Sequence, residues 1–120
     1  MSFVLRHLKR LTFAIKGIGY ALMTDFSYRS QVYGGLLVLM VFCLLVWPLS
    51  HTETLFLALA WVLILITELQ NSSFEAALDR LHPKQHDAIG RSKDMAAGAV
   101  LTAGFFLVFV MAMILAERLL

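Results

Sequence analysis

Residues Met95 to Ala116 form a run of 22 residues without a single charge. A run of that length is long enough to cross a bilayer as a helix and too long for the core of so short a chain. It fixes the class of everything else. In lipid, every backbone polar group must be satisfied within its own segment, so the remaining apolar stretches are also expected to be helical. The composition agrees, with 60% apolar and only 15% charged residues and a mean hydropathy of +0.80. A soluble globule is excluded, and 120 residues make one domain.

Two further spans are expected. One runs from Val32 to Leu49, with Gly34-Gly35 near its start and Trp47-Pro48 at its end, where an aromatic residue suits the interface and a proline stops the helix. The other begins at Leu55, after the turn Ser50-His51-Thr52-Glu53. Ser50 or Thr52 is the expected N-cap. Cys43 lies inside the first of these apolar runs and is the sole cysteine, so it packs and forms no intrachain disulfide. The N-terminus carries basic residues but no short apolar core with a small-residue cleavage site, so no cleavable signal peptide is expected.

Before the spans, Val4, Leu8, Leu11, Ile15, Ile18 and Leu22 recur at helical spacing, with Arg6, Lys9, Arg10 and Lys16 on the opposite side. That pattern predicts an amphipathic helix lying in the membrane surface, its cations drawn to anionic headgroups. Asp25 is the only acid in the first 52 residues; taken alone, it reads as a solvated cap. The expected organisation is all-α. A surface helix covers 3–27, transmembrane helices cover 32–49, 55–78 and 95–116, and a polar connector with Pro83 and Gly90 covers 79–94.

Orientation follows from the basic residues. Nine of the ten Lys and Arg residues precede the first span or lie between the second and third; Arg118 is the exception. The positive-inside rule then puts the N-terminus and the connector in the cytoplasm and the C-terminus outside.

The second span does not end cleanly. It continues into Glu68-Leu69-Gln70-Asn71-Ser72-Ser73-Phe74-Glu75-Ala76-Ala77-Leu78-Asp79-Arg80. At about 100° per residue, Glu68, Asn71, Glu75 and Asp79 fall within roughly 80° of one another, in a stripe about 16 Å long. Asp79, beside Arg80, suits simple contact with water. Glu68 does not, because only 14 uncharged residues separate it from Glu53, fewer than the roughly 20 of a full span. It sits near the acyl–headgroup boundary, where an unpaired carboxylate is costly. Clustered carboxylates there suit a hard cation such as Mg²⁺, which takes oxygen ligands and often arrives with phosphates. The connector places His82, Lys84, His86, Arg91, Lys93 and Asp94 nearby. Neither GxxxxGK[ST] nor GxGxxG occurs, so a nucleotide site would be of another design. The histidines lack zinc-ligand spacing.

The block from Glu68 to Arg80, then His86, then Gly90-Arg91-Ser92-Lys93-Asp94-Met95-Ala96-Ala97-Gly98-Ala99-Val100, closely resembles the small bacterial membrane diacylglycerol kinases. Their pattern is roughly E-x-x-N-[ST]-[AS]-x-E-x-x-x-D, a spacer, then K-D and a run of small residues. The resemblance extends over the whole order of surface helix, three spans and connector. It implies phosphorylation of a lipid alcohol by ATP with Mg²⁺, in the bacterial inner membrane. It also implies a homotrimer with active sites between subunits, and no nucleic-acid partner. It makes Glu68 the general base, Glu75 and Asp25 the metal ligands, and Asn71 and Asp79 supports of the site. Lys93 and Asp94, with His86, become nucleotide contacts, while Arg6 and Lys9 approach the phosphates. Asp25 departs from the family's usual glutamate by one methylene, and Gln70 departs from a usually apolar position. Undecaprenol kinases share the family, so diacylglycerol is the expected acceptor and undecaprenol the alternative. A small oligomeric exporter with Glu68 as its proton site is the rival class, but it leaves Lys93-Asp94 and the other acids unexplained.

Overall fold

Local chemistry sets where each helix begins in the computed structural model, which describes residues 2–120. Four α-helices follow one another: α1 Phe3–Thr24, α2 Phe26–Leu45, α3 His51–Leu81 and α4 Asp87–Leu119. Ser2 caps α1 through its hydroxyl, which accepts from Leu5 N. Of the two candidates in the turn before α3, Ser50 is the cap. Its Oγ accepts from Glu53 N at 3.1 Å, and Glu53 Oε2 accepts from Ser50 N at 3.0 Å. This reciprocal pair satisfies two amides that the helix itself cannot. His86 caps α4, its Nδ1 accepting from Ala88 N.

α2, α3 and α4 are long and apolar enough to cross a membrane, so this is a multi-pass membrane protein. α3 and α4 extend past the expected boundaries at both ends because a helix need not stop where lipid does, whereas α2 ends at Leu45, short of the expected 49. α2 starts at Phe26 instead of 32, since nothing in Phe26–Gln31 breaks it once Asp25 has capped it. α1, expected to lie in the membrane surface over 3–27, stops at Thr24. Most of the expected connector is helical. Only 82–86 lie outside α3 and α4, with Pro83 in that gap, and Gly90 sits within α4 without breaking it.

α3 and α4 share the most extensive pairing, α2 packs on α3, and α1 touches α2 and α3. The buried cluster is Phe42, Val46, Leu57, Ala60, Val110 and Ile114, towards the end of the molecule that holds the α2–α3 turn. Ala60 is fully buried there. Nearer the other end, α2 and α3 meet at Gly35, where an added Cβ would strike Trp61 Nε1 and lie 2.9 Å from its Cδ1. Trp61 Nε1 donates to the Gln31 carbonyl at 3.4 Å across this notch. The turn end is fastened by Arg118. Its Nη1 and Nη2 donate to Glu53 Oε1 and Oε2 at 2.9 and 2.7 Å, and Nη2 and Nε donate to the carbonyls of Pro48 and Val46.

Candidate active site

Glu68 and Asn71 are the only buried polar side chains among the described residues, 5% and 9% exposed. They lie one turn apart on the face that α3 turns inward with Leu57, Ala60 and Ile64. The helix ends its apolar core on that face, so the two polar side chains continue it. No ion pair holds Glu68; the two in the described structure are Lys93–Asp79 and Arg118–Glu53. Asn71 Oδ1 is buried with no hydrogen-bond partner, an acceptor oxygen left unsatisfied at appreciable cost.

The carboxylates nearest in effect to Glu68 are Asp25 and Glu75. Glu75 comes from two turns further along α3 and is exposed. Asp25 comes from the single extended residue between α1 and α2, with φ −101° and ψ 110°. Burial pushes the Asp25 carboxyl up. Opposing it are a hydrogen bond from the Ser72 side chain, the backbone N–H groups of Tyr28 and Ser27, and the Arg29 guanidinium. Together these outweigh burial and hold the group below its ordinary value. Asp25 is therefore a cap, as its bare sequence context suggests, and it also stands beside the α3 stripe.

Asp79, at the exposed end of the stripe, pairs with Lys93 of α4, Nζ to Oδ1 2.7 Å, with side chains 65% and 33% exposed. Glu75 also acts on the Lys93 charge. An exposed pair of this kind is weak and easily exchanged for another anion. An open cleft of about 580 Å³ at the α3–α4 turn is lined by Asp79, His86, Lys93 and Asp94, together with His82 and Lys84. The sequence-derived residues thus form two connected groups: Asp25, Glu68, Asn71 and Glu75 on one side, and Asp79, His86, Lys93 and Asp94 on the other.

Arg6 and Lys9 do not join them. Both are exposed on α1, and at 1.5 Å per residue they lie about 24–29 Å along the helix from Asp25. Gln70 is exposed and off the Glu68 face. Ser72 escapes the stripe pattern because it is not acidic, yet its i+4 spacing from Glu68 places it about 40° away on the same side.

Among the described residues, no three His, Cys, Asp or Glu side chains enclose a metal ion by themselves. The donors present are all oxygens: Asp25, Glu75 and the orphaned Asn71 Oδ1. That set fits a hard cation that completes its shell with phosphate oxygens and water. Carboxylates on one side of a lysine-bearing cleft can hold a phosphorylated co-substrate, and a buried carboxylate at the apolar boundary can accept a proton from an amphiphile.

Comparison with known proteins gives the family. A family described as prokaryotic diacylglycerol kinase matches residues 12–115. The diacylglycerol kinases of Escherichia coli K12 and Shigella flexneri are each 31% identical over 98 residues, covering 82% of this chain and 79% of theirs. That of Synechocystis is 33% identical over 99 residues, covering 82% of this chain and 55% of its own. With that match spanning most of its length, the chain belongs to the prokaryotic diacylglycerol kinase family and is an enzyme, a membrane lipid kinase.

Proposed function

We propose that this protein phosphorylates the hydroxyl of diacylglycerol with ATP to give phosphatidic acid. The observation that carries the reading is the buried, ion-pair-free carboxylate of Glu68, placed where an apolar helix face turns polar. A lipid alcohol can reach that depth without leaving the membrane.

Glu68 accepts the proton of the lipid hydroxyl as its oxygen attacks the γ-phosphorus, the bond to the β-phosphate oxygen breaks, and ADP departs. Phosphoryl transfer of this kind demands positioning and charge neutralisation more than covalent chemistry. Glu75 and Asp25 would hold Mg²⁺, with Asn71 beside them, and the ion would supply charge neutralisation at the transferring phosphate. Asp79, His86, Lys93 and Asp94 form the nucleotide side of the cleft. Lys93 exchanges Asp79 for a phosphate, which its exposed ion pair permits at small cost. Arg6 and Lys9 lie too far along α1 to serve Glu68 of their own chain. Their role at the phosphates therefore belongs to a homotrimer in which α1 of one subunit reaches the stripe of another.

The enzyme sits in the bacterial inner membrane with its N-terminus and site in the cytoplasm and its C-terminus outside, a reading supported by the placement of nine of its ten basic residues. Purified protein in mixed micelles, given labelled ATP and Mg²⁺ with diacylglycerol in one arm and undecaprenol in the other, tests the reading. Labelled phosphatidic acid is expected. Transfer to undecaprenol alone reassigns the acceptor, and no transfer to either removes the proposal.

A further inference from the structure

Asp25 holds together a joint that the proposed chemistry does not by itself require. It is the single residue between α1 and α2, and both helices end on it. Its N–H donates to the Ala21 carbonyl at 2.9 Å, closing α1. Its Oδ1 accepts from Tyr28 N at 3.0 Å, opening α2. Arg29 reaches back over the same break to donate to the Met23 carbonyl at 3.3 Å. Ala21 and Tyr28 on the two sides of the joint are both buried. The carboxylate also meets Ser72 of α3, so the joint is pinned to the helix that carries Glu68 and Glu75.

Aspartate and asparagine are among the strongest N-cap residues because their short arms bring an oxygen back onto the N2 or N3 amide. Glutamate, one methylene longer, is not in that group. From these contacts we infer that Asp25 divides its carboxylate: Oδ1 builds the α1–α2 joint, Ser72 and Ser27 take further acceptor capacity, and only the remainder is left for a cation. Glu75 then contributes the larger part of cation affinity. An aspartate at this position exchanges coordinating reach for a fixed helix joint. The inference rests on the proposed Mg²⁺ site.

The test uses the purified full-length protein in detergent. Thermal unfolding is measured without divalent cation, and Mn²⁺ binding by electron paramagnetic resonance is measured without nucleotide. Asp25→Asn is expected to unfold within about 2 °C of wild type, since asparagine caps as well as aspartate, while binding Mn²⁺ several-fold more weakly. Asp25→Glu is expected to unfold several degrees lower and to bind Mn²⁺ at least as tightly as wild type. Glu75→Gln is expected to lose more Mn²⁺ affinity than Asp25→Asn. Wild-type Mn²⁺ binding in Asp25→Asn overturns the inference. So does a wild-type midpoint in Asp25→Glu, or a several-degree fall in Asp25→Asn. If Glu75→Gln and Asp25→Asn both bind Mn²⁺ as wild type does, the metal site itself fails. If Glu75→Gln alone weakens binding, the site stands and the division of Asp25 falls.

Discussion

Changing Glu68 to glutamine alters one atom in shape terms and removes the capacity to accept a proton. The side chain is 5% exposed, so the substitution is made inside packed structure, and an isostere leaves no cavity. No ion pair is broken, because none holds Glu68. Two anionic neighbours, Asp25 and Glu75, no longer face a third negative charge. The new amide also brings a donor one turn from Asn71 Oδ1, a buried acceptor without a partner. If that bond forms, it contributes about 1 kcal/mol. Each of these effects is neutral or stabilising, so the unfolding midpoint in detergent is expected to equal or exceed that of wild type. Turnover is expected to fall by about 10²-fold or more, the usual weight of a general base, which is about 2.7 kcal/mol of barrier. The KM for ATP is expected to hold, because Glu68 acts on the lipid hydroxyl. A micelle assay for labelled phosphatidic acid, run beside thermal unfolding of the same preparation, reads both quantities. Near-normal turnover would refute the assignment. A midpoint several degrees below wild type would refute the account of Glu68 as an unpaired buried charge.

Three further expectations address the scaffold. Gly35→Ala is expected to lower the unfolding midpoint by several degrees, because its Cβ meets Trp61 side-chain atoms; recovery in a Gly35→Ala, Trp61→Leu double variant would locate the cost in that contact, and an unchanged single variant would refute it. In a Cys43→Ser background, a cysteine replacing Thr52 is expected to react with an impermeant thiol reagent on intact cells, and one replacing Gln85 only after the membrane is opened; the opposite pattern reverses the orientation. Because the folded Asp25 carboxyl is held below its ordinary value, its contribution to stability is present above about pH 4 and is lost as pH falls through the lower folded value. In EDTA, wild type is therefore expected to lose stability more steeply below pH 4 than Asp25→Asn, and parallel profiles would contradict the contacts described for Asp25.

The spans were legible because charge-free runs such as Met95–Ala116 leave a chain few alternatives. Glu68 was legible because an acid so soon after Glu53 cannot be ordinary surface. Their helical spacing likewise placed Asn71 and Glu75 on its face. Helix ends were less legible, since Arg80 and Asp94 signal the limit of lipid, not of hydrogen bonding. The isolation of Asp25 in the sequence suggests a cap and its place in the family pattern suggests a ligand; the structure shows the cap directly and sets the same carboxylate beside the stripe. Arg118 escaped altogether. Its partners lie 65 to 72 residues away, and no periodicity within one helix reveals a contact between three segments.

That contact bears on how α4 is kept in place. Arg118 follows the apolar run by two positions and lies on the side of the α2–α3 turn. There its five-donor fork finds two backbone carbonyls and both oxygens of a glutamate that is itself engaged in capping α3. Those bonds need the C-terminal end of α4 in place beside the turn, and withdrawing α4 into the bilayer would carry a guanidinium stripped of its partners into lipid.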